Sequence, residues 1–394
     1  MEASVSNFLL LFASIAVGWL LGRLGRSKVE LPAPVDDSNS YYKGLNFLLN
    51  EQADEAVLTV VNELPVRLET LPTHLALGNL MRSKGEVEAA IHIHQNLLSR
   101  PSLPRVELHK VHLELARDYI SAGLLDRAER LLRDLVDESQ GYRAEALEHL
   151  RHIYQTEKEW EQAIAVAVQL LPKRGWLRRA QDKSPQLVEK ALSHYHCEIA
   201  ERLLSDGDLK AAKRELVKAE RYDSDCLRVG LLLAALSMRQ GRAGEALAVL
   251  QELLRSQPLW AMQILPLFKN AFSEMASTAE YVDALSRFGA TTDSSYLAVE
   301  LAGALAEVKG KAEALTYIQS VVKRRPTFKT LSCWLSLSDA EGQAELRLAI
   351  DEVLATRPVY QCRHCGFSGR KLHWLCPSCE QWGTIAPVRG TQGD

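Results

Sequence analysis

Four of the seven cysteines fall in the last tenth of the 394-residue chain, as Cys362-Arg363-His364-Cys365 and Cys376-Pro377-Ser378-Cys379, with ten residues between the pairs. A C-x2-C turn brings two thiolates to one side of a tight loop, so two such turns supply four soft donors in a tetrahedron. That set suits one zinc or one iron ion and leaves no coordination position for a reacting water. Gly366 follows the first pair, where a positive φ is needed. Some thirty residues cannot build a core, so the ion itself should hold this piece together. Tyr360, Phe367, Trp374 and Trp382 are expected to form a small apolar cover, and His364 and His373 to be spare surface residues. The competing reading, two disulfides, belongs to an oxidising compartment. Cys197, Cys226 and Cys333 stand alone inside helical patterns and read as small buried apolar residues.

No other constellation carries chemistry. There is no phosphate-binding glycine loop, nucleophile elbow or dinucleotide fingerprint. His92 and His94, and likewise His194 and His196, are two apart and would point to different faces of a helix. His149 and His152 share a face with Glu145, but three such groups without a cleft make a weak metal site. The chain is therefore read as a non-enzyme with no catalytic residue.

The elements that carry the cysteines are helical. Apolar residues make up 47% of the chain and charged residues 25%, a globular balance. The net charge of −3 and the 7% aromatic content argue against nucleic-acid binding. An alanine recurs at 56, 90, 128, 163, 212, 246 and 314, at intervals of 34, 38, 35, 49, 34 and 68. A period of 34 is that of tetratricopeptide repeats, each a helix-turn-helix pair. Twelve residues before each alanine lies Gly44, Gly78, Ala116, Arg151, Ala200, Ala234 or Ala302, small in every unit but one, as two closely crossing helices require. Five before it, Gly85, Gly123, Gly207 and Gly241 mark the turn. The 68-residue gap should hide a degenerate unit near 262–290, with Tyr281-Val282-Asp283-Ala284-Leu285 in its second helix. The 49-residue gap carries a basic insertion, 173–183, open to two readings: a contact for anionic lipid or an acidic partner, or a solvated loop. Such pairs must stack to bury their apolar faces, giving an all-α superhelix with a concave binding groove.

At the other end, residues 3–22 carry no charge. A helix of that length spans about 30 Å, the thickness of a bilayer core. Arg23, Arg26 and Lys28 follow the run, which predicts a single pass with the N-terminus outside and the rest in the cytoplasm. A cleaved signal peptide is the alternative, but the basic cluster lies on the wrong side for one. The expected organisation is a transmembrane anchor at 1–24, a linker at 25–40, a repeat body at 41–355 and a metal module at 356–394.

Anchor, repeats and knuckle together resemble the lipopolysaccharide assembly protein B family of Gram-negative bacteria. The resemblance rests on Leu77-Gly78-Asn79-Leu80, Gly85-Glu86-Val87, Ile91-His92-Ile93-His94-Gln95 and the tail from Cys362 to Gly390. It implies an inner-membrane adaptor for the protease FtsH that promotes degradation of the deacetylase committing cells to lipid A synthesis. It also implies an inner-membrane sensor protein as a restraining partner. It makes the terminal module rubredoxin-like, with Cys362, Cys365, Cys376 and Cys379 as ligands of iron or zinc. Two other functions stay open at this point: a general scaffold for lipopolysaccharide-synthesis proteins, and electron transfer at a mononuclear iron. The sequence leaves the oligomeric state open, a homodimer included.

Overall fold

The computed structural model describes residues 67–99, 103–172, 184–275, 278–291, 293–338 and 342–390, together with 15–17 and 19. The expected linker, the first repeat with Gly44 and Ala56, and the basic insertion at 173–183 lie outside the described residues. So does most of the apolar run at 3–22; its described positions are helical, with Ile15, Val17 and Trp19 exposed. Among the described residues no helix is long and apolar enough to cross a membrane.

The described chain divides between Arg143 and Ala144 into two compact units. The first contains two helical pairs, α1 (Leu71–Lys84) with α2 (Val87–Leu98), and α3 (Arg105–Ser121) with α4 (Leu125–Glu138). Leu71, Leu75, Leu77, Gly78 and Met81 line one face of α1, the spacing that buries a single stripe of a helix. Gly85 then takes a left-handed φ of 89° and its N–H caps the end of α1.

Why residue 78 is glycine is visible in its neighbour. A Cβ there would stand 2.4 Å from Nε2 of His94, so only glycine lets α2 place this imidazole against α1. His94 is fully buried and its Nδ1 lies 2.5 Å from Oδ2 of Asp118 on α3. Arg82 of α1 reaches the same Asp118 at 2.7 Å and Glu114 at 2.8 Å. This network ties three successive helices in one register, and each charged group in it has an opposite partner, which is the condition for burying it at all.

The second unit opens with α5 (Arg143–Thr156) and α6 (Trp160–Leu170), then α7 (Ser184–Ser205) and α8 (Leu209–Tyr222). The pair α9 (Leu227–Arg239) and α10 (Ala243–Ser256) follows, and a 3-10 turn at Pro258–Trp260 leads into α11 (Ala261–Glu274) and α12 (Thr278–Thr291). The helical part closes with α13 (Ser295–Val308), α14 (Lys311–Arg324), α15 (Phe328–Ser338) and α16 (Ala344–Thr356). The marker alanines 90, 128, 163, 212, 246 and 314 all lie on second helices with no accessible surface. The degenerate unit is α11 and α12, where Phe268, Phe272, Tyr281, Val282, Ala284 and Leu285 join one core running from α9 to α14. Aromatic rings replace the small residues there: Phe268 and Phe272 meet edge to face at 4.9 Å, and Phe272 meets Tyr281 at 5.5 Å. That substitution of ring for alanine is why the period fades from the sequence over this unit.

After α16 the chain changes character. Three short antiparallel strands, β1 (Tyr360–Cys362), β2 (Ser368–Gly369) and β3 (Ile385–Pro387), form a sheet in the order β2-β1-β3. Tyr360 pairs with Gly369 on one side and Pro387 on the other. A single bridge, Leu375 to Trp382, closes a second hairpin beside it.

Candidate metal centre

Each C-x2-C pair sits at the tip of one of these hairpins, and the two tips share a backbone pattern. In the first, the N–H of Cys362 donates to the carbonyl of Phe367 at 2.7 Å and the N–H of Gly366 donates to that of Cys362 at 3.1 Å. In the second, Cys376 donates to Gln381 at 3.1 Å and Glu380 to Cys376 at 2.9 Å, the same two bonds at the same offsets. The residue after the second cysteine of each pair has positive φ, 81° at Gly366 and 53° at Glu380. Glycine meets that demand without cost, and Glu380 meets it with a side chain. The N–H of His364 also points at the Cys362 sulfur, at 3.4 Å.

The four sulfurs converge. All lie within 4.8 Å of one another, with Cys362 to Cys379 at 3.8 Å and Cys365 to Cys376 at 3.6 Å. None is in a disulfide. Sulfurs about 2.3 Å from one ion in a tetrahedron stand about 3.8 Å apart, so the set fits a single tetrahedral ion. This is the only such group of three or more metal-binding side chains among the described residues.

The charges are arranged for a cation as well. Burial works against ionising Cys362, yet the Thr384 hydroxyl and the N–H groups of Cys365 and His364 bring its thiol down to about 6. The N–H of Phe367 lowers Cys365. Burial, and after it the crowding of three neighbouring sulfurs, pushes Cys379 up to about 12. Thiolates crowded this closely repel one another, and a cation at their centre would relieve that repulsion.

Tyr360, Phe367 and Ile385 pack with Cys362 and Cys376, forming the apolar support expected around the sulfurs. The two tryptophans do not join this cover, as the sequence reading had them; they turn outward into the helical repeats. Trp382 is buried, and its indole N–H donates to Oε1 of Gln155 on α5 at 2.8 Å. Its ring stacks on His194 at 4.9 Å and meets Tyr195 and Trp160 edge-on at 5.8 and 6.1 Å. Trp374 lies against Trp260 at 6.2 Å and His194 at 6.0 Å. The Arg228 guanidinium covers it at 5.7 Å while pairing with Glu198 at 2.8 Å and Glu201 at 2.9 Å. At the edge of the contact His152 pairs with Glu380 at 3.2 Å, so this histidine serves docking, not a metal.

A relay of hydrogen bonds stands behind the seat. Arg151 donates to the Tyr195 hydroxyl at 3.1 Å, and that hydroxyl donates to the same Gln155 oxygen at 2.9 Å. Both lone pairs of one buried carbonyl oxygen are thus used, one from the repeats and one from the module. Arg151 is the one large residue in the series of small ones twelve before each marker alanine. Lys158, five before Ala163, holds a φ of 60° where four other units place glycine. Both departures fall in the repeat that receives Trp382. In the sequence Arg151 is an exception with no local reason. The signal that could have found the seat was this coincidence of two broken rules in one unit.

His194 and His196 do face apart, His194 toward the module and His196 toward Glu215 at 2.7 Å and the ring of Tyr222. Cys197 and Cys226 do not stand alone; α7 and the start of α9 bring them into one buried cluster.

Comparison with protein families agrees with this architecture. The family described as rubredoxin metal binding domain matches residues 360–387, and the tetratricopeptide repeat family matches 203–262. Lipopolysaccharide assembly protein B of Escherichia coli K12 is 34% identical over 394 residues, covering 98% of each chain. The protein of the same name from Haemophilus influenzae is 31% identical, covering 97% of each. Among solved structures, MamA aligns over 49% of this chain and 95% of its own, at 18% identity and a TM-score of 0.32.

Proposed function

The chain belongs to the lipopolysaccharide assembly protein B family, and from that premise we propose that it is a non-catalytic adaptor at the bacterial inner membrane that controls lipopolysaccharide synthesis. In this reading residues 1–24 anchor the protein, 25–40 are a linker, 41–355 are the repeat body, and 356–394 are a metal module. Cys362, Cys365, Cys376 and Cys379 hold one iron or zinc ion. When bound, that ion supplies a cross-link between two hairpins too small to fold on a core of their own.

The observation that carries the proposal is the seating of Trp382 and Trp374 in the repeats. A closed set of four thiolates leaves no position for a substrate. The seating of the module by its tryptophans against four helices supports a role as part of the binding body over that of a free electron carrier. Helical repeats of this type present surfaces to other proteins, and the relatives' name ties those surfaces to lipopolysaccharide assembly. The finer reading, recruitment of the deacetylase that commits lipid A synthesis to the protease FtsH under restraint by an inner-membrane sensor, rests on the family resemblance alone.

A pulse-chase of the deacetylase in cells with and without this protein tests it. The expected outcome is a half-life several-fold longer on depletion. An unchanged half-life would leave a scaffold for lipopolysaccharide-synthesis proteins as the better account.

A further inference from the structure

Outside the metal centre the structure brings two other thiols together. Cys197 lies in the middle of α7, fully buried, and Cys226 is the N-cap residue of α9. They share one small buried core with Ala219 and Val229, where α7 meets the start of α9. Their situations differ. Cys226 forms part of the wall of a crevice of about 260 Å³, together with Lys190, His194, Asp223, Trp260, Trp374 and Gly383. Cys197 sits behind it with no accessible surface. Cys226 therefore borders a space that a small oxidant can enter, while Cys197 is closed off from solvent.

We propose that Cys226 and Cys197 form a peroxide-responsive thiol–disulfide pair that, when oxidised, staples α7 to α9 beside the seat of the metal module. The chemistry balances with hydrogen peroxide as the oxidant. The Cys226 thiolate sulfur attacks one peroxide oxygen, the O–O bond breaks, and the departing hydroxide takes up a proton as water. Cys226 is left as a sulfenic acid, oxidised by two electrons. Cys197 then gives up its proton and its sulfur attacks that of Cys226. The S–S bond forms, the S–O bond breaks, and the hydroxide leaves as a second water carrying the Cys197 proton.

Position gives each thiol its role: Cys226 lines the crevice at a helix N-terminus, and Cys197 is fully buried within α7. The interaction with Cys197, against the opposing effect of burial, brings Cys226 down to about 7. The same interaction, followed by burial, holds Cys197 well above the ordinary thiol range. A thiolate at a helix N-terminus is the reactive member of such a pair, and the protonated thiol behind it is the resolving one. The bond would join two first helices of adjacent repeats within one turn of His194 and Arg228, the residues against Trp382 and Trp374.

The test is peroxide titration of the full-length metal-loaded protein, followed by alkylation and peptide mass spectrometry. The expected result is a Cys197–Cys226 linked peptide in most of the chain at peroxide levels that leave the metal bound. Cys197→Ala, confirmed folded by circular dichroism, should instead accumulate a Cys226 sulfenic acid that dimedone traps. The proposal is overturned if Cys226 stays fully alkylatable while the metal cysteines oxidise. It is equally overturned if Cys226 oxidises in the wild type without linking to Cys197.

Discussion

A buried imidazole stacked between two indoles has little room to carry a charge. Burial, with Arg228 and Lys190 nearby, drives His194 down to about 3. In the unfolded chain a histidine takes up its proton near pH 6.5. Below that pH the unfolded state binds a proton that the folded state refuses, so stability is complete above about 6.5 and declines as the pH falls toward 3. The loss from this one residue at pH 5 is about 2 kcal/mol. His194→Phe keeps a ring between Trp382 and Trp374 and removes the proton. Urea unfolding of the two proteins between pH 7.5 and 5 should therefore show a steeper decline in the wild type; parallel profiles would mean that His194 is not held neutral. The convergence of Cys362, Cys365, Cys376 and Cys379 could be read from sequence because it is local, each pair closing its own turn. The partners of Trp382 could not be read, because Gln155 lies 227 residues away and nothing in either segment marks the other. Residue type alone assigned both tryptophans to the nearest apolar task, the metal cover, when their task was across the fold.

At the scale of the element, the repeats are legible because they obey a steric rule. A second helix can approach the first only where an alanine or glycine leaves space, so the small residues recur with the period of the fold. The rule is hidden in α11 and α12, where Phe268, Phe272 and Tyr281 fill the same core with rings. It is broken in α5 and α6 for a different reason, since Arg151 is needed beneath Tyr195 and Gln155. Lys158 has no such task in its backbone, which pays a left-handed turn with a β-carbon. Lys158→Gly should raise stability by about 1 kcal/mol, measured by denaturant unfolding with an unchanged slope. A decrease would show that the lysine side chain contributes more at this edge than its turn loses. The register of α1, α2 and α3 rests on a rule of the same kind, with Gly78 leaving space not for a backbone but for His94.

Over the whole molecule, composition and charge argue against a nucleic-acid partner, and periodicity gives the repeats. Neither reveals that the metal module and the helices from α5 to α11 are bound into one body. That follows from the aromatic seat and the shared oxygen of Gln155. The functional reading depends on it: an ion that shapes two small hairpins also fixes part of the repeat surface offered to partners. Hydrogen exchange on the full-length protein, before and after the metal is stripped by a chelator, tests this most directly. The account predicts faster exchange in residues 360–390 and, together with it, in the faces of α5 and α7 around Gln155 and His194. Faster exchange confined to residues 360–390, with α5 and α7 unchanged, would contradict it.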